Sequence, residues 1–340
     1  MKKVSVIILN WNGAEMLRRF LPSVVECSSE AEVVVADNGS TDSSLEVLRE
    51  EFPEVKVMAF DENYGFAEGY NKALAQTETE YTVLLNSDVE VTPDWLVPLL
   101  SFMEAHPEAA ACQPKILNCN HRDYFEYAGA CGGFIDSLGY PYCRGRVMSD
   151  VERDEGQYDG EPVKIFWATG AAMLVRTAIY NKVGGLDSRF FAHQEEIDFC
   201  WRLRSRGYEI WCVTDSRVYH LGGATLDKSN PRKTFLNFRN NLLMLYKNLP
   251  SHRRVGVMAV RYFLDYLAAF QMLLSGKRKD ALAVVRARFE YSHICHEFDA
   301  KRRENLEAAT VVDFAEMRPV SLLWAYYVRR QRKYSDLQRG

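Results

Sequence analysis

The chain has 340 residues, of which 47% are apolar, and a formal net charge of −4. That apolar share suffices for a sizeable core and excludes an intrinsically disordered chain, and the length suits two domains or one large α/β domain with an appendage. The charge is split: residues 1–227 carry 20 Lys and Arg against 36 Asp and Glu, whereas 228–340 carry 22 against 10. We therefore expect two parts, an acidic domain over 1–227 and a basic extension over 228–340, that face different surroundings.

Val4–Leu9 is an apolar, β-branched run suited to a strand buried on both faces, and Glu15–Cys27 follows with helical spacing. Val33–Ala36 reads as a second strand, closing on Asp37-Asn38-Gly39-Ser40, with a helix near Ser44–Phe52. A third strand is expected over Val55–Phe60, a helix over Phe66–Thr77 and a fourth strand over Tyr81–Leu85. Alternation at this pitch implies a mostly parallel sheet with right-handed crossovers. From Cys112 to Pro162 the pattern loosens into Gly, Tyr and charged residues, and irregular structure with a hairpin is expected. Order returns with Phe166–Val175 and a helix over Glu195–Arg206 that Gly207 ends. A short strand over Ile210–Val213 should then be followed by a polar turn, Thr214-Asp215-Ser216, before Val218-Tyr219-His220. Beyond lie helical patterns at Lys233–Lys247, Arg253–Leu274 and Val320–Tyr334.

Eight cysteines show no C-x-x-C pair and read as reduced thiols, although Cys112, Cys119, His121, Cys131 and Cys143 crowd one region and leave a metal or redox cluster as the alternative. With no signal peptide at Met1-Lys2-Lys3-Val4 and no unbroken run of about 18 apolar residues, a cytoplasmic chain without a membrane span is expected. Arg253–Leu274 approaches span length but contains Arg261 and Asp265.

Several strand ends carry chemistry. Asn86-Ser87-Asp88 follows the fourth strand and sets a carboxylate at the edge where parallel sheets bind nucleotides. An oxygen ligand there suits Mg2+ or Mn2+, and the bland alternative is ordinary turn chemistry. Asp37 can accept from a base N–H or a ribose hydroxyl, or simply form a turn. Asn63-Tyr64-Gly65-Phe66-Ala67-Glu68-Gly69-Tyr70-Asn71 puts two glycines at a helix entrance, where backbone can approach a nucleotide. His220, after a late strand, is a further metal-ligand candidate. In Glu195-Glu196-Ile197-Asp198 the helical spacing points the three acids to different sides, so they cannot share one task. Acids also suit a helix start electrostatically; the functional reading makes one of them a general base.

In order and spacing these segments resemble glycosyltransferase family 2, the inverting nucleotide-sugar enzymes of the GT-A fold, over roughly residues 3–225. The matching stretches are Val-Ser-Val-Ile-Ile-Leu-Asn-Trp-Asn (4–12), Val-Ala-Asp-Asn-Gly-Ser-Thr-Asp (35–42), Asn-Tyr-Gly-Phe-Ala (63–67), Leu-Leu-Asn-Ser-Asp (84–88) and Glu-Glu-x-Asp (195–198). The chain looks closest to the bacterial rhamnosyltransferase-like branch that builds surface polysaccharides. The resemblance implies that Asn10, Trp11 and Asn12 line the base and ribose pocket and that Asp37 contacts the base. It implies donor contacts from Asn38, Asn63, Gly65, Asn71 and Asn86, with Gly170 and Ala171 close to sugar and acceptor. Asp88, last acid of the family's Asp-x-Asp motif, would bind Mg2+ or Mn2+, which His220 completes in some relatives. Glu196 stands at the catalytic-base position, with Glu195 or Asp198 as substitutes. Two positions depart from the pattern: Asn86 replaces the first Asp of Asp-x-Asp, and Glu196 is one methylene longer than the usual Asp. The Gln-x-x-Arg-Trp motif of processive synthases is missing, which implies one sugar per binding event.

The expected partners are a nucleotide-sugar donor and a glycan or lipid-linked acceptor, and no nucleic acid. A basic, aromatic stretch at Leu322–Lys333 suggests peripheral contact with the inner membrane, against the alternative of a helical cap on the catalytic domain. A nucleotidyltransferase is the rival enzyme class, but Asn10-Trp11-Asn12-Gly13 is no Gly-rich basic phosphate loop. A catalytically degenerate relative used for binding is the non-enzymatic alternative.

Overall fold

The computed structural model describes residues 2–222 and 230–338. The expected domain boundary, between 227 and 228, lies outside the described residues.

The first half alternates as expected: β1 (Val4–Asn10), α1 (Ala14–Glu26), β2 (Ala31–Asp37), α2 (Ser44–Glu51), β3 (Lys56–Ala59), α3 (Gly65–Leu74) and β4 (Tyr81–Asn86). Next come β5 (Val89–Val91), α4 (Leu96–Ala105) and β6 (Ala109–Asn118). Five short strands follow: β7 (Gly133–Asp136), β8 (Pro141–Cys143), β9 (Arg146–Val147), β10 (Asp150–Val151) and β11 (Val163–Lys164). The part ahead of the basic segment closes with β12 (Ala172–Arg176), α5 (Thr177–Lys182), α6 (Glu195–Ser205) and β13 (Glu209–His220). The last part is helical: α7 (Pro231–Asn248), α8 (Ser251–Leu274), α9 (Arg278–Ile294) and α10 (Asp299–Glu307), with a two-residue β14 at Met317–Arg318.

The main sheet runs β11-β13-β6-β12-β4-β1-β2-β3, with β5 beside β13. The strands β4, β1, β2 and β3 are parallel, whereas β12 enters antiparallel between β4 and β6, so the sheet is mixed. Alternation along β1 splits the core: Ile7 joins the cluster under α3, α6 and α7, while Val6 and Ile8 join the one under α1, α2 and α4. Four consecutive residues of α7, Leu242–Leu245, are fully buried, and three of them lie in the same cluster as Ile7 and Leu84. The first helix of the basic segment is therefore part of the core of the sheet.

Where irregular structure was expected, β6 forms a buried central strand. Its sequence, Ala-Ala-Ala-Cys-Gln-Pro-Lys-Ile-Leu-Asn, has little strand propensity, and pairing on both sides overrides that. The segment 214–216, expected as a turn between two strands, is instead a bulge inside the continuous β13. The register shift falls between Val213 and Arg217, opposite Pro114, whose ring nitrogen has no hydrogen to donate. The strands β10-β9-β8-β7-β14 make a second sheet. Val320–Tyr334 is not one helix: a π-type turn spans Trp324–Val328, burying Ala325 and Tyr326 and leaving Trp324, Tyr327 and Val328 exposed.

Candidate active site

The parallel register puts Asn10 beside Asp37, and Asn86 beside Leu9, so the ends of β1, β2 and β4 share one edge. Asn10 is buried and donates from Nδ2 to Asp37 Oδ1 at 2.9 Å, while its Oδ1 has no partner. Asp37 also accepts from the Ser40 amide at 3.0 Å and from Ser40 Oγ at 2.6 Å. Asn12 sits at φ +49° and accepts at Oδ1 from the Thr41 amide at 2.7 Å, which folds the two strand-end loops together. Trp11 projects from this edge half exposed, free to stack on a planar group.

Asn38 holds the second lip. Its Nδ2 donates to Asn63 Oδ1 at 3.1 Å and to the Gly65 carbonyl at 3.0 Å, and its Oδ1 accepts from the Tyr64 amide at 3.1 Å. Gly65 has φ +77°, and a Cβ there would lie 2.8 Å from the Phe191 ring, so glycine is required both for conformation and for close approach. Asn71 is engaged elsewhere: its amide donates to the Leu186 carbonyl and accepts from Tyr180 Oη, both at 2.8 Å, tying α3 to the loop after α5.

The end of β13 returns to this edge. His220 Nε2 lies 3.1 Å from Asp88 Oδ1 and 3.5 Å from Asn86 Nδ2, and the imidazole and the Asp88 carboxylate are both buried. On the other side of the ring, Glu126 Oε1 stands 3.6 Å from Nδ1, within ion-pair range but beyond a hydrogen bond. Burial alone would lower the His220 pKa, but Glu126 and Asp88 outweigh it and hold the imidazolium up to about 10. Burial of Asp88 is likewise outweighed by His220, and its carboxyl titrates below the usual value. A carboxylate and an imidazole at this spacing would suit a divalent cation that displaces the imidazolium proton. Among the described residues no group of three His, Cys, Asp or Glu is arranged for one, so a cation held here would take its further ligands from phosphate oxygens and water.

Gly170 and Ala171 connect this pair to the acidic helix. The Asn86 amide donates to the Ala171 carbonyl at 3.0 Å, and a Cβ on Gly170 would meet Phe66 at 3.1 Å and the Glu196 Cβ at 3.8 Å. At the start of α6, Glu195 and Glu196 each carry a buried Oε2 with no partner. Burial raises both carboxyls, Glu196 to about 7, and the neighbouring Glu196 charge pushes Glu195 higher still. The favourable field of a helix start is thus outweighed by desolvation. Asp198 differs: fully buried, it accepts from Arg202 Nε at 3.0 Å, Lys247 Nζ at 2.8 Å and Asn248 Nδ2 at 2.8 Å, which leaves it committed to the packing of α6 on α7.

The loop ahead of α6 contains three non-glycine residues at positive φ, Phe191, His193 and Gln194. Such conformations cost free energy and persist only when the surroundings impose them. Here Asn240 of α7 imposes them, its Nδ2 lying 3.0 Å from the Phe190 carbonyl, 2.9 Å from that of Ala192 and 2.8 Å from that of His193. Asn241 adds a bond from Nδ2 to Gln194 Oε1 at 3.1 Å. Pattern reading missed Glu126, Asn240 and Asn241. The one available signal was Asn240-Asn241 inside a helix, where Asn is a poor helix former.

The family model "Glycosyl transferase family 2" matches residues 5–148. A curated relative, the N-acetylglucosaminyl-diphospho-decaprenol L-rhamnosyltransferase of Mycobacterium tuberculosis, is 26% identical over 234 residues, covering 63% of this chain and 75% of the relative. Among solved structures, S. aureus TarS 1-349 in complex with UDP-GlcNAc superposes with TM-score 0.55 at 18% identity, covering 89% of each chain. The mannosyltransferase PcManGT from Pyrobaculum calidifontis, in complex with GDP-Man and Mn2+, superposes with TM-score 0.52 at 13% identity, covering 90% of this chain and 85% of the other. Residues 5–148 thus belong to glycosyl transferase family 2, within a chain that has the GT-A fold and is similar to a rhamnosyltransferase.

Proposed function

We propose that this chain is an inverting glycosyltransferase that moves one sugar from a nucleotide-diphosphate sugar, UDP- or dTDP-linked, to a hydroxyl of a glycan or lipid-linked acceptor in surface-polysaccharide synthesis. The observation that carries the reading is the continuous edge from Asp88 and His220, through Asn86, Ala171 and Gly170, to Glu196. It provides an anion-handling end and a proton-accepting end on one rigid strand-end frame. The relative's name makes rhamnose the first sugar to test.

In this reading Trp11, Asn10 and Asp37 bind the base and ribose. Asp88 and His220 would hold Mg2+ or Mn2+, which supplies positive charge to a leaving diphosphate. Glu196 accepts a proton from the acceptor hydroxyl as that oxygen attacks the anomeric carbon opposite the departing diphosphate. Its buried carboxyl, titrating at about 7, is matched to a general base working near neutrality. Glu195 beside it keeps a proton to higher pH, which leaves Glu196 as the acceptor of choice. Asp198 positions α6 and is no candidate for the base, because Arg202, Lys247 and Asn248 occupy its oxygens.

The test is calorimetric binding of UDP, dTDP and GDP, each with and without Mn2+. Metal-dependent binding of one diphosphate is expected and names the donor class. No binding of any by the folded protein would overturn the transferase reading in favour of a degenerate, non-enzymatic relative.

A further inference from the structure

Helix α8 carries its polarity the wrong way round for a helix bathed in water. Over 24 residues, about 36 Å at 1.5 Å per residue, it is the one helix among the described residues long and apolar enough to cross a membrane. Its two internal charges are not on the outside. Arg261 Nε lies 3.2 Å from Asp265 Oδ1, Asp265 Oδ2 lies 2.7 Å from Arg288 Nη1 of α9, and Arg261 Nη1 donates to the Leu138 carbonyl at 2.9 Å. All three charged side chains are buried, and this packing at mid-helix lays α8 along the body of the protein. The outward stripe is apolar instead: Val255, Phe263, Leu267, Phe270 and Leu274, joined by Phe289 of α9, with Phe263 72% and Phe289 66% exposed. Helices that face water show the opposite distribution, and a contiguous exposed apolar stripe marks an interaction surface.

The charge around the stripe identifies its partner. Lys277 stands exposed in the turn between α8 and α9, Arg278 and Lys279 are exposed at the start of α9, and Arg286 is exposed further along it. At the Ser251 end the stripe meets a cavity of about 720 Å³ walled by Arg254, Arg302 and Arg303, with Asp299 as an opposing carboxylate. Pairing two copies of this face would bring cationic rims together, whereas an anionic bilayer neutralises them. We infer that the α8–α9 face docks on an anionic lipid bilayer, with both helices in the interfacial plane, apolar side chains among the acyl chains and the basic rim at the phosphates. The inference does not rest on the transferase reading, and it assigns the contact to α8–α9 in place of Leu322–Lys333, where Leu322 and Tyr326 are buried in the fold.

The test is co-sedimentation of the full chain with vesicles of phosphatidylcholine alone or mixed with phosphatidylglycerol. The protein should pellet with the mixed vesicles and be released by salt. Phe263→Glu, Leu267→Glu and Phe270→Glu together should cut vesicle binding at least about tenfold with an unchanged thermal melt, since these side chains make little contact with the fold. Reversing Lys277, Arg278 and Lys279 should weaken binding about fivefold per charge. A wild-type protein that stays in the supernatant, or a triple glutamate variant that pellets like wild type, overturns the inference. So does a wild-type dimer that the triple variant converts to monomer while neither binds vesicles. Binding of UDP, dTDP and GDP with Mn2+ on the same samples separates the two readings: absence of all three with intact vesicle binding counts against the transferase alone.

Discussion

His220 Nε2 meets Asp88 Oδ1 at 3.1 Å across 132 residues of sequence, because β5 pairs antiparallel with β13 and sets Val89 opposite His220. The pair therefore depends on the sheet rather than on any local motif. Asp88→Ala should abolish both the Mn2+ dependence of diphosphate binding and turnover, measured by calorimetry and by a product assay. His220→Ala should weaken the metal-dependent part alone. Equal diphosphate binding with and without Mn2+ in the wild type would remove the pair from metal chemistry.

Glu196→Gln should lower turnover by ~10²–10⁴ while donor binding persists, the usual contribution of a general base. Asp198→Asn predicts a different result. It leaves Lys247 and Arg202 buried with one partner fewer, and loss of one member of a buried ionic cluster costs about 3–5 kcal/mol. A large fall in melting temperature is expected for Asp198→Asn, and none of that size for Glu196→Gln. The reverse pattern would exchange their roles.

The rate should rise with pH through about 7, as burial holds the Glu196 carboxyl protonated up to that point. Stability should run the other way. The folded state binds this proton more tightly than the unfolded chain, whose carboxyl titrates near 4.5, so stability falls as pH rises between 4.5 and about 7. Melting curves of wild type and Glu196→Gln across this window should converge at its acid end and separate at its neutral end.

Asn240→Ala should damage catalysis from a distance. It removes the donor shared by three loop carbonyls, and each buried group left unpaired costs about 1–3 kcal/mol. With Phe191, His193 and Gln194 released from positive φ, the start of α6 loses its frame. A fall in kcat larger than any change in donor KM is expected, with Asn240→Asp restoring little because a carboxylate cannot donate to carbonyls.

Gly65→Ala tests the second lip. An alanine at φ +77° costs about 1–2 kcal/mol in backbone strain alone, and its Cβ must also displace the Phe191 ring. Lower stability together with weaker donor binding is expected from paired melting and calorimetric measurements.

Residues that act through neighbours in sequence were legible without a structure. The β-branched runs of β1, β2 and β4 announce strands buried on both faces, so Asn10, Asp37 and Asp88 could be set at one edge from pattern alone. The second half was less legible. β6 contains Pro114 and a fully buried Lys115 that pairs with Asp154 and Asp159, and no local periodicity reveals that tertiary contacts will accept both.

The strand-helix alternation up to β4, the strand-end residues and the acidic start of α6 follow from the sequence itself, because hydrophobic period and turn chemistry are local properties of the chain. Which acid faces the cleft, that Glu126 backs His220, that α7 of the basic segment locks the loop before α6, and that Arg261 and Asp265 turn inward were decided only by tertiary structure. Each depends on a partner from a distant segment. Helical spacing says that Glu196 and Asp198 diverge, but only the packing of Lys247 and Asn248 against one of them says which is left free.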